Sequence, residues 1–306
     1  MSAGAVPLSA VVLTHNEEVN LEASLRNVAG WCKEIVVVDS GSSDKTVEIA
    51  RRFTDKIFVH PYEDHASQWD WTFRNVPFAC DWLLLLDADF IVSAQLRDSI
   101  ASALRAPKDV VGYFVHHRYV FLGRQIRFGG TKKWWLRLVR RADASVDRSE
   151  LVDFRVVVAG RTQKLHGLVL EDNKKEYDLD FWIDKHQKFS SRMAVEEVLR
   201  RDGVLRWQIS PNVFGNSEER ISWFKQRWYS LPLYVRPFAY FFLRYIFLAG
   251  VLDGWRGFVF HFLQGLWFRL IVDLKMGMIY RRVRGGDLSI EGLADSFLGR
   301  KRVTFR

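Results

Sequence analysis

The 306-residue chain contains only two cysteines, Cys32 and Cys80. Two thiols exclude a disulfide framework and a cysteine-built zinc site, and they suit a reduced, cytoplasmic protein. Long apolar runs are missing too. In the aromatic stretch 227–282 the longest uncharged run is 257–268, twelve residues. A bilayer-crossing helix needs roughly 18 or more apolar residues, so no spanning helix is expected. The N-terminal MSAGAVPLSAVVLTHNEE has no basic segment ahead of its apolar run. It reads as a leader into a first strand, not a secretory signal. No internal repeat or low-complexity tract occurs, which excludes solenoids and disordered arrays.

What is present is an alternation. LSAVVLTH (8–15), EIVVVD (34–39), KIFVH (56–60) and WLLLLD (82–87) are apolar, largely β-branched or leucine runs. Between them lie helix-spaced segments: 16–31, 42–53, 67–78 and 95–106. Strands written as continuous apolar runs and separated by helices predict an α/β fold, with a parallel sheet covered on both faces. Ligands on such sheets bind beyond the carboxyl ends of the strands. Three strands end there in polar residues: Thr14-His15-Asn16-Glu17, Asp39-Ser40-Gly41 and Asp87-Ala88-Asp89. Further on, 110–123 and 132–141 read as strands, 155–172 as a hairpin turning at Ala159-Gly160, and 178–201 as a long helix. The inner side of that helix is expected to carry Phe181, Trp182, Phe189, Met193 and Val198.

Asp87 and Asp89 supply hard oxygen ligands suited to Mg²⁺ or Mn²⁺, and such an ion would neutralise a phosphate leaving group. The bland alternative is an N-cap for the following helix. The segment 8–50, followed by WLLLLDAD, resembles the nucleotide-sugar half of a family 2 glycosyltransferase, over roughly residues 8–105. The remainder resembles the bacterial lipopolysaccharide-core and exopolysaccharide glucosyltransferase branch. This resemblance implies the GT-A fold: a Rossmann-like, mixed but mostly parallel sheet with helices on both faces. It also implies donor roles. Thr14, Asn16 and Glu17 would hold base and ribose, Asp39 the nucleoside, Asp87 the ribose and metal, and Asp89 the metal on the diphosphate. Gln68 and Arg74 would border the donor. Two positions depart from the pattern. Trp69-Asp70 replaces a basic residue and an amide, and Phe90 stands where a further acid commonly follows.

Inverting chemistry in this family needs a general base to deprotonate the acceptor hydroxyl. Asp172 and Glu150 are the candidates, with Glu171 third; each is equally readable as a solvated turn residue. Lys185 and His186 could meet a diphosphate, although a structural histidine is the commoner role. The basic run Lys132, Lys133, Arg137, Arg140 and Arg141 reads as a solvated face, with an acceptor-phosphate contact through Lys132 as the sharper alternative. His116 and His117 point to opposite faces of a strand, so at most one is expected to look inward.

From Glu218 onward the chain carries 15 Lys/Arg against 7 Asp/Glu, and residues 221–280 hold 18 of its 44 aromatics. Residues 1–217 thus read as the catalytic domain, with donor half 8–105 and acceptor half 106–217. Residues 218–306 read as an aromatic, basic helical region broken by Pro232, Pro237, Gly250, Gly254 and Gly257. It is expected to lie in a membrane interface against anionic lipid, a soluble cap or dimer surface being the alternative. No nucleic-acid-binding motif occurs, and nucleic acid is not expected as a partner. The resulting expectation is a metal-dependent inverting glycosyltransferase, peripheral or monotopic at the cytoplasmic face of a bacterial inner membrane. It would move a sugar from a nucleoside-diphosphate donor to a lipid-linked, lipopolysaccharide or exopolysaccharide acceptor. A polyprenyl-phosphate sugar synthase and a non-catalytic membrane scaffold of the same fold are the alternatives.

Overall fold

The computed structural model describes residues 5–105, 109–147, 155–206, 209–215 and 217–302. The chain forms two compact units: Met1–Arg148 with Asp153–Leu179, and Ser149–Val152 with Asp180–Arg306. The units thus divide at Leu179/Asp180, earlier than the expected 217/218.

The first unit begins with β1 (Val6–Thr14), α1 (Leu21–Val28), β2 (Cys32–Asp39), α2 (Thr46–Arg51), β3 (Ile57–Val59), α3 (His65–Asn75) and β4 (Trp82–Asp87). It continues with β5 (Phe90–Val92), α4 (Ala94–Arg105), β6 (Val110–Phe121), β7 (Arg124–Gln125), β8 (Lys133–Arg140), β9 (Ala144–Asp147), β10 (Arg155–Val158) and β11 (Arg161–Glu171). The main sheet has the order β3-β2-β1-β4-β8-β6-β11-β5, with β7 on β6. The β3, β2, β1 and β4 pairings are parallel. Strand β8 runs antiparallel between β4 and β6, and β11 returns parallel to β6.

Alternation along the central strands feeds two cores. Ala10, Val12, Leu84 and Leu86 pack with Leu21 and Leu25 of α1 and Ile100 of α4. Val11, Leu13, Leu83 and Leu85 pack with Trp69 and Phe73 of α3. All four leucines of β4 are fully buried. At about 1.5–3 kcal/mol each, they anchor the strand whose end carries Asp87. Helix α3 starts where the Asp64 side chain accepts from the Ser67 amide at 2.9 Å, a conventional N-cap.

Residues 155–172 do not form the expected hairpin. The turn at Ala159-Gly160 is real, but β10 pairs with β9 and β11 pairs with β6. Gly160 allows this handover, because a Cβ there would stand 2.7 Å from a Val111 methyl. Both His116 and His117 are buried, since the sheet is covered on both faces.

The second unit is helical, with α5 (Leu179–Arg201, from Asp180 onward), α6 (Ser217–Ser230), α7 (Arg236–Phe242), α8 (Gly254–His261), α9 (Phe268–Arg284) and α10 (Ile290–Arg302). Its core contains Ala194, Val198, Phe268, Val272 and Met276. Trp182 is buried as expected, but Phe181 is exposed. Arg236 is buried between two acids, 2.6 Å from Glu197 and 2.5 Å from Asp273.

The expected breaks are only partly realised. Pro237 lies in the first turn of α7, where proline is tolerated. Gly254, with φ +68°, marks a real bend, whereas the helix runs straight through Gly257. Short π segments at 243–247 and 262–267 extend α7 and join α8 to α9. One helical run, Gly250–Arg284, is therefore long and apolar enough by length and composition to cross a membrane. The expectation of no such candidate rested on uncharged runs alone. Helicity extends past Arg269 and Asp273, and a spanning window accommodates two charged residues.

Candidate active site

The parallel register brings the three polar strand ends together. Thr14 is level with Asp39 on β2, and Leu13 is level with Asp87 on β4. Thr14 Oγ1 donates to Asp39 Oδ1 at 2.9 Å. The other oxygen of Asp39 accepts from the Gly41 and Ser42 amides at 2.9 and 2.8 Å. This turn fixes the loop beyond β2 as an amide-lined edge.

Asn16 and Glu17 shape the neighbouring loop. Asn16 adopts a left-handed backbone, φ 52°, which asparagine tolerates better than most residues. Its side-chain oxygen accepts from the Ser43 amide at 2.8 Å. Glu17 accepts from Asn20 at 2.7 Å and pairs with Lys175 at 2.5 Å. Asn20 also donates to Asn173 Oδ1 at 3.0 Å, and its own oxygen accepts from the Lys174 amide at 2.9 Å. Segment 173–175 is thus tied across the mouth of the first strand. Asn20, Asn173 and Lys175 were not singled out from the sequence. Their role depends on a contact spanning more than 150 positions, which leaves no local pattern.

Gln68 is buried at the same edge. It faces His60 Nδ1 at 2.8 Å and donates to Ser40 at 3.1 Å. Arg74 is elsewhere. Helix α3 runs back toward the start of β4, so its last turn lies at the opposite sheet edge. There Arg74 is exposed, pairs with Asp70 at 3.1 Å and borders an open cleft with Asp81 and Arg140.

Asp87 and Asp89 close the edge. Asp87 Oδ2 lies 3.4 Å from the Arg137 guanidinium, while its Oδ1 is buried without a hydrogen-bond partner. The Asp89 carbonyl accepts from the Asp172 amide at 2.9 Å. That bond continues the antiparallel pairing of β5 with β11, in which Phe90 opposes Glu171. Asp172 therefore sits beside the Asp-x-Asp motif. Its Oδ1 accepts from the Tyr177 hydroxyl at 2.8 Å, and Lys174 approaches its Oδ2 at 3.5 Å. Burial, helped by Asp172, pushes the Tyr177 phenol up to about 12. Glu171 is engaged differently, with its carboxylate 2.8 Å from His117 Nε2. Burial first, then Lys133 and Arg137, hold the His117 ring well below the usual histidine range.

Arg137 is not part of a solvated face. Its residue is 4% exposed, and its guanidinium lies 5.0 Å from the Phe90 ring centre and 4.8 Å from that of Trp135. Burial lowers its pKa, and Asp87, Glu171 and Asp89 oppose that shift. Phe90, buried against His117 and Trp135, is the platform under this cation. An acid there would place a fourth carboxylate in the same apolar layer. Lys132 lies immediately before β8 at this edge, near enough to lower the His116 pKa.

Lys185 and His186 belong to the second unit. His186 is a core histidine: it stacks on Trp182 at 3.6 Å, faces the Trp182 carbonyl at 2.8 Å and meets Gln264. Glu150 lies outside the described residues.

Among the described residues, no three acidic, histidine or cysteine side chains converge as a closed metal cage. A Mg²⁺-type site does not need one, because it takes one or two carboxylates and draws its other oxygens from substrate phosphates and water. The unpartnered buried oxygen of Asp87 beside Asp89 fits that donor set.

A mostly parallel sheet whose carboxyl edge gathers acids and loop amides defines a class, the glycosyltransferases of GT-A architecture. A family model, glycosyl transferase family 2, matches residues 9–165, and the chain belongs to that family. It is 28% identical over 204 residues to a lipopolysaccharide core biosynthesis glycosyltransferase of Rhizobium meliloti strain 1021, covering 63% of this chain and 72% of the relative. It is 37% identical over 93 residues to a glycosyltransferase of Rickettsia bellii, covering 30% and 31%. A Pyrobaculum calidifontis mannosyltransferase solved with GDP-Man and Mn²⁺ is similar at 13% identity and TM-score 0.46, over 90% of this chain and 86% of that one. A Mycobacterium tuberculosis glucosyl-3-phosphoglycerate synthase solved with Mn²⁺, UDP and phosphoglyceric acid is similar at 16% identity and TM-score 0.40, over 67% and 81%.

Proposed function

We propose that the chain is an inverting, metal-dependent glycosyltransferase. It moves a sugar from a nucleoside-diphosphate donor to a saccharide acceptor of the lipopolysaccharide or lipid-linked type, at the cytoplasmic face of a bacterial inner membrane. The observation that carries this reading is the Asp172 amide bonded to the Asp89 carbonyl at 2.9 Å. It sets a base candidate beside the acids that would meet the donor diphosphate. The core-biosynthesis relative supports the acceptor class.

In this reading Thr14, Asp39 and the Gly41–Ser42 amides seat the nucleoside, with Asn16 and Glu17 holding the loop in place. Asp87 and Asp89 would hold Mg²⁺ or Mn²⁺, which when bound stabilises the departing diphosphate. Arg137 keeps Asp87 oriented from below. Asp172, held by Tyr177, takes the acceptor hydroxyl proton, and Lys132 is available to an acceptor phosphate. Glu171 lies 2.8 Å from the buried His117 ring and ranks behind Asp172 as the base.

The test is donor binding by thermal shift with Mn²⁺ across nucleoside-diphosphate sugars, for the natural chain and for Asp89→Asn. A bound donor raises the melting temperature by mass action. A metal-dependent rise that Asp89→Asn abolishes supports the assignment, and an undiminished rise in the variant overturns it.

A further inference from the structure

The segment from α7 to α8 is built inside out. Between Arg236 and Arg256 the sequence carries two charges, Arg244 and Asp253, and both are buried. His261 is fully buried as well. The outward positions are apolar: Phe238, Phe242, Phe247 (78% exposed), Leu252 (65%), Trp255 (61%) and Phe258. Water-soluble surfaces do the reverse, and an exposed apolar area of this extent marks an interaction surface.

The segment is preformed. Arg244 lies over the Tyr240 and Phe260 rings at 5.4 and 5.8 Å, and Tyr245 stacks on Phe241 at 5.4 Å. Gly250 and Gly257 let the turns close. A Cβ on Gly250 would stand 2.6 Å from the His261 ring, and one on Gly257 would stand 2.7 Å from the Gly250 carbonyl. Around this tip, whose own Arg244 and Asp253 are buried, the chain is basic, with 15 Lys/Arg against 7 Asp/Glu from Glu218 onward and Arg281, Arg282 and Arg284 in the last turn of α9. A second copy would bring the same positive excess against itself. An anionic lipid leaflet offers the complement: hydrocarbon for the rings and negative headgroups for the cations.

We infer that residues 238–255 form a preformed wedge that inserts into one leaflet of an anionic bilayer. The inference rests on the reading of the enzyme as acting at a membrane and names the element that enters it. The sequence expectation of helices lying flat in the interface is thereby sharpened to insertion of one tip whose charges are buried and whose aromatics face outward.

The test uses the full chain carrying Phe247→Cys, labelled with an environment-sensitive dye. Cys32 and Cys80 are buried, so the introduced thiol is the reactive one. Val59→Cys, exposed in the first unit, is the control. With phosphatidylcholine–phosphatidylglycerol vesicles, the dye at 247 is expected to shift to the blue and lose about tenfold of its iodide quenching, as for a group below the headgroups. The dye at 59 is expected not to change. Phe247→Glu combined with Leu252→Glu is expected to weaken vesicle binding by about a hundredfold or more, with lipid-free donor hydrolysis unaltered. Vesicle binding with the 247 dye still open to iodide overturns the wedge while leaving the membrane reading intact. Failure to bind vesicles overturns both. Shielding of the 247 dye that rises with protein concentration in the absence of lipid assigns the surface to a second copy and overturns the wedge. None of these readouts depends on sugar transfer, so loss of the enzymatic reading would be seen separately.

Discussion

Arg137 and His116, on neighbouring strands, carry predictions at the scale of single residues. Replacing Arg137 with methionine leaves Asp87 without its cation. Removing one partner of a fully buried pair costs about 3–5 kcal/mol. Asp87 keeps about a quarter of its side chain in water, so the loss expected on urea denaturation is smaller, about 2 kcal/mol. His116 gives a pH dependence. Burial first, then Lys132, Arg118 and Lys164, lower its pKa from 6.5 to about 4. The unfolded chain therefore binds that proton more readily. Its contribution to stability is complete above pH 6.5 and is lost as pH falls toward 4. In His116→Leu the urea midpoint should depend less on pH across this window; an unchanged slope would remove His116 as the cause. Asp87, Asp89, Thr14 and Asp39 were legible in the sequence because each ends an apolar run, and a strand end is a local signal. Arg137 was not. Lysines and arginines around two tryptophans look solvated until β8 is known to lie beside β4.

At the scale of elements, the buried Glu197–Arg236–Asp273 cluster joins α5, α7 and α9. Arg236→Met strands two buried carboxylates and should lower stability by about 3–5 kcal/mol, read as a lower denaturant midpoint of the second unit's helical signal. An unchanged midpoint would mean that apolar packing alone joins these helices. The β–α alternation of the first hundred residues was readable because each apolar run is punctuated by polar turns. The pairing of 155–172 was not, since β10 and β11 have ordinary strand sequences and only long-range packing sends them to different sheets. Arg74 shows the same limit. Its helix was legible, but the direction in which the helix crosses the sheet places its last turn at the edge opposite Asp39 and Asp87.

At the scale of the whole molecule, two differently built units share one chain. One is an acid-edged α/β sheet belonging to glycosyl transferase family 2. The other is a helical unit with charges inside and aromatics outside. This division explains why the net charge of +9 sits almost entirely beyond Glu218: the basic excess belongs to the unit proposed to meet lipid. It also explains why His186, which with Lys185 looks like a diphosphate contact in sequence, serves the packing of a different unit. The central claim is that Asp172 is the base poised beside Asp89. The most direct measurement is single-turnover sugar transfer by Asp172→Asn, alongside donor affinity in Mn²⁺. Donor affinity is expected to match the natural chain while the transfer rate falls by about a thousandfold, the scale of a lost general base. Transfer persisting within a few-fold of the natural rate would contradict the account.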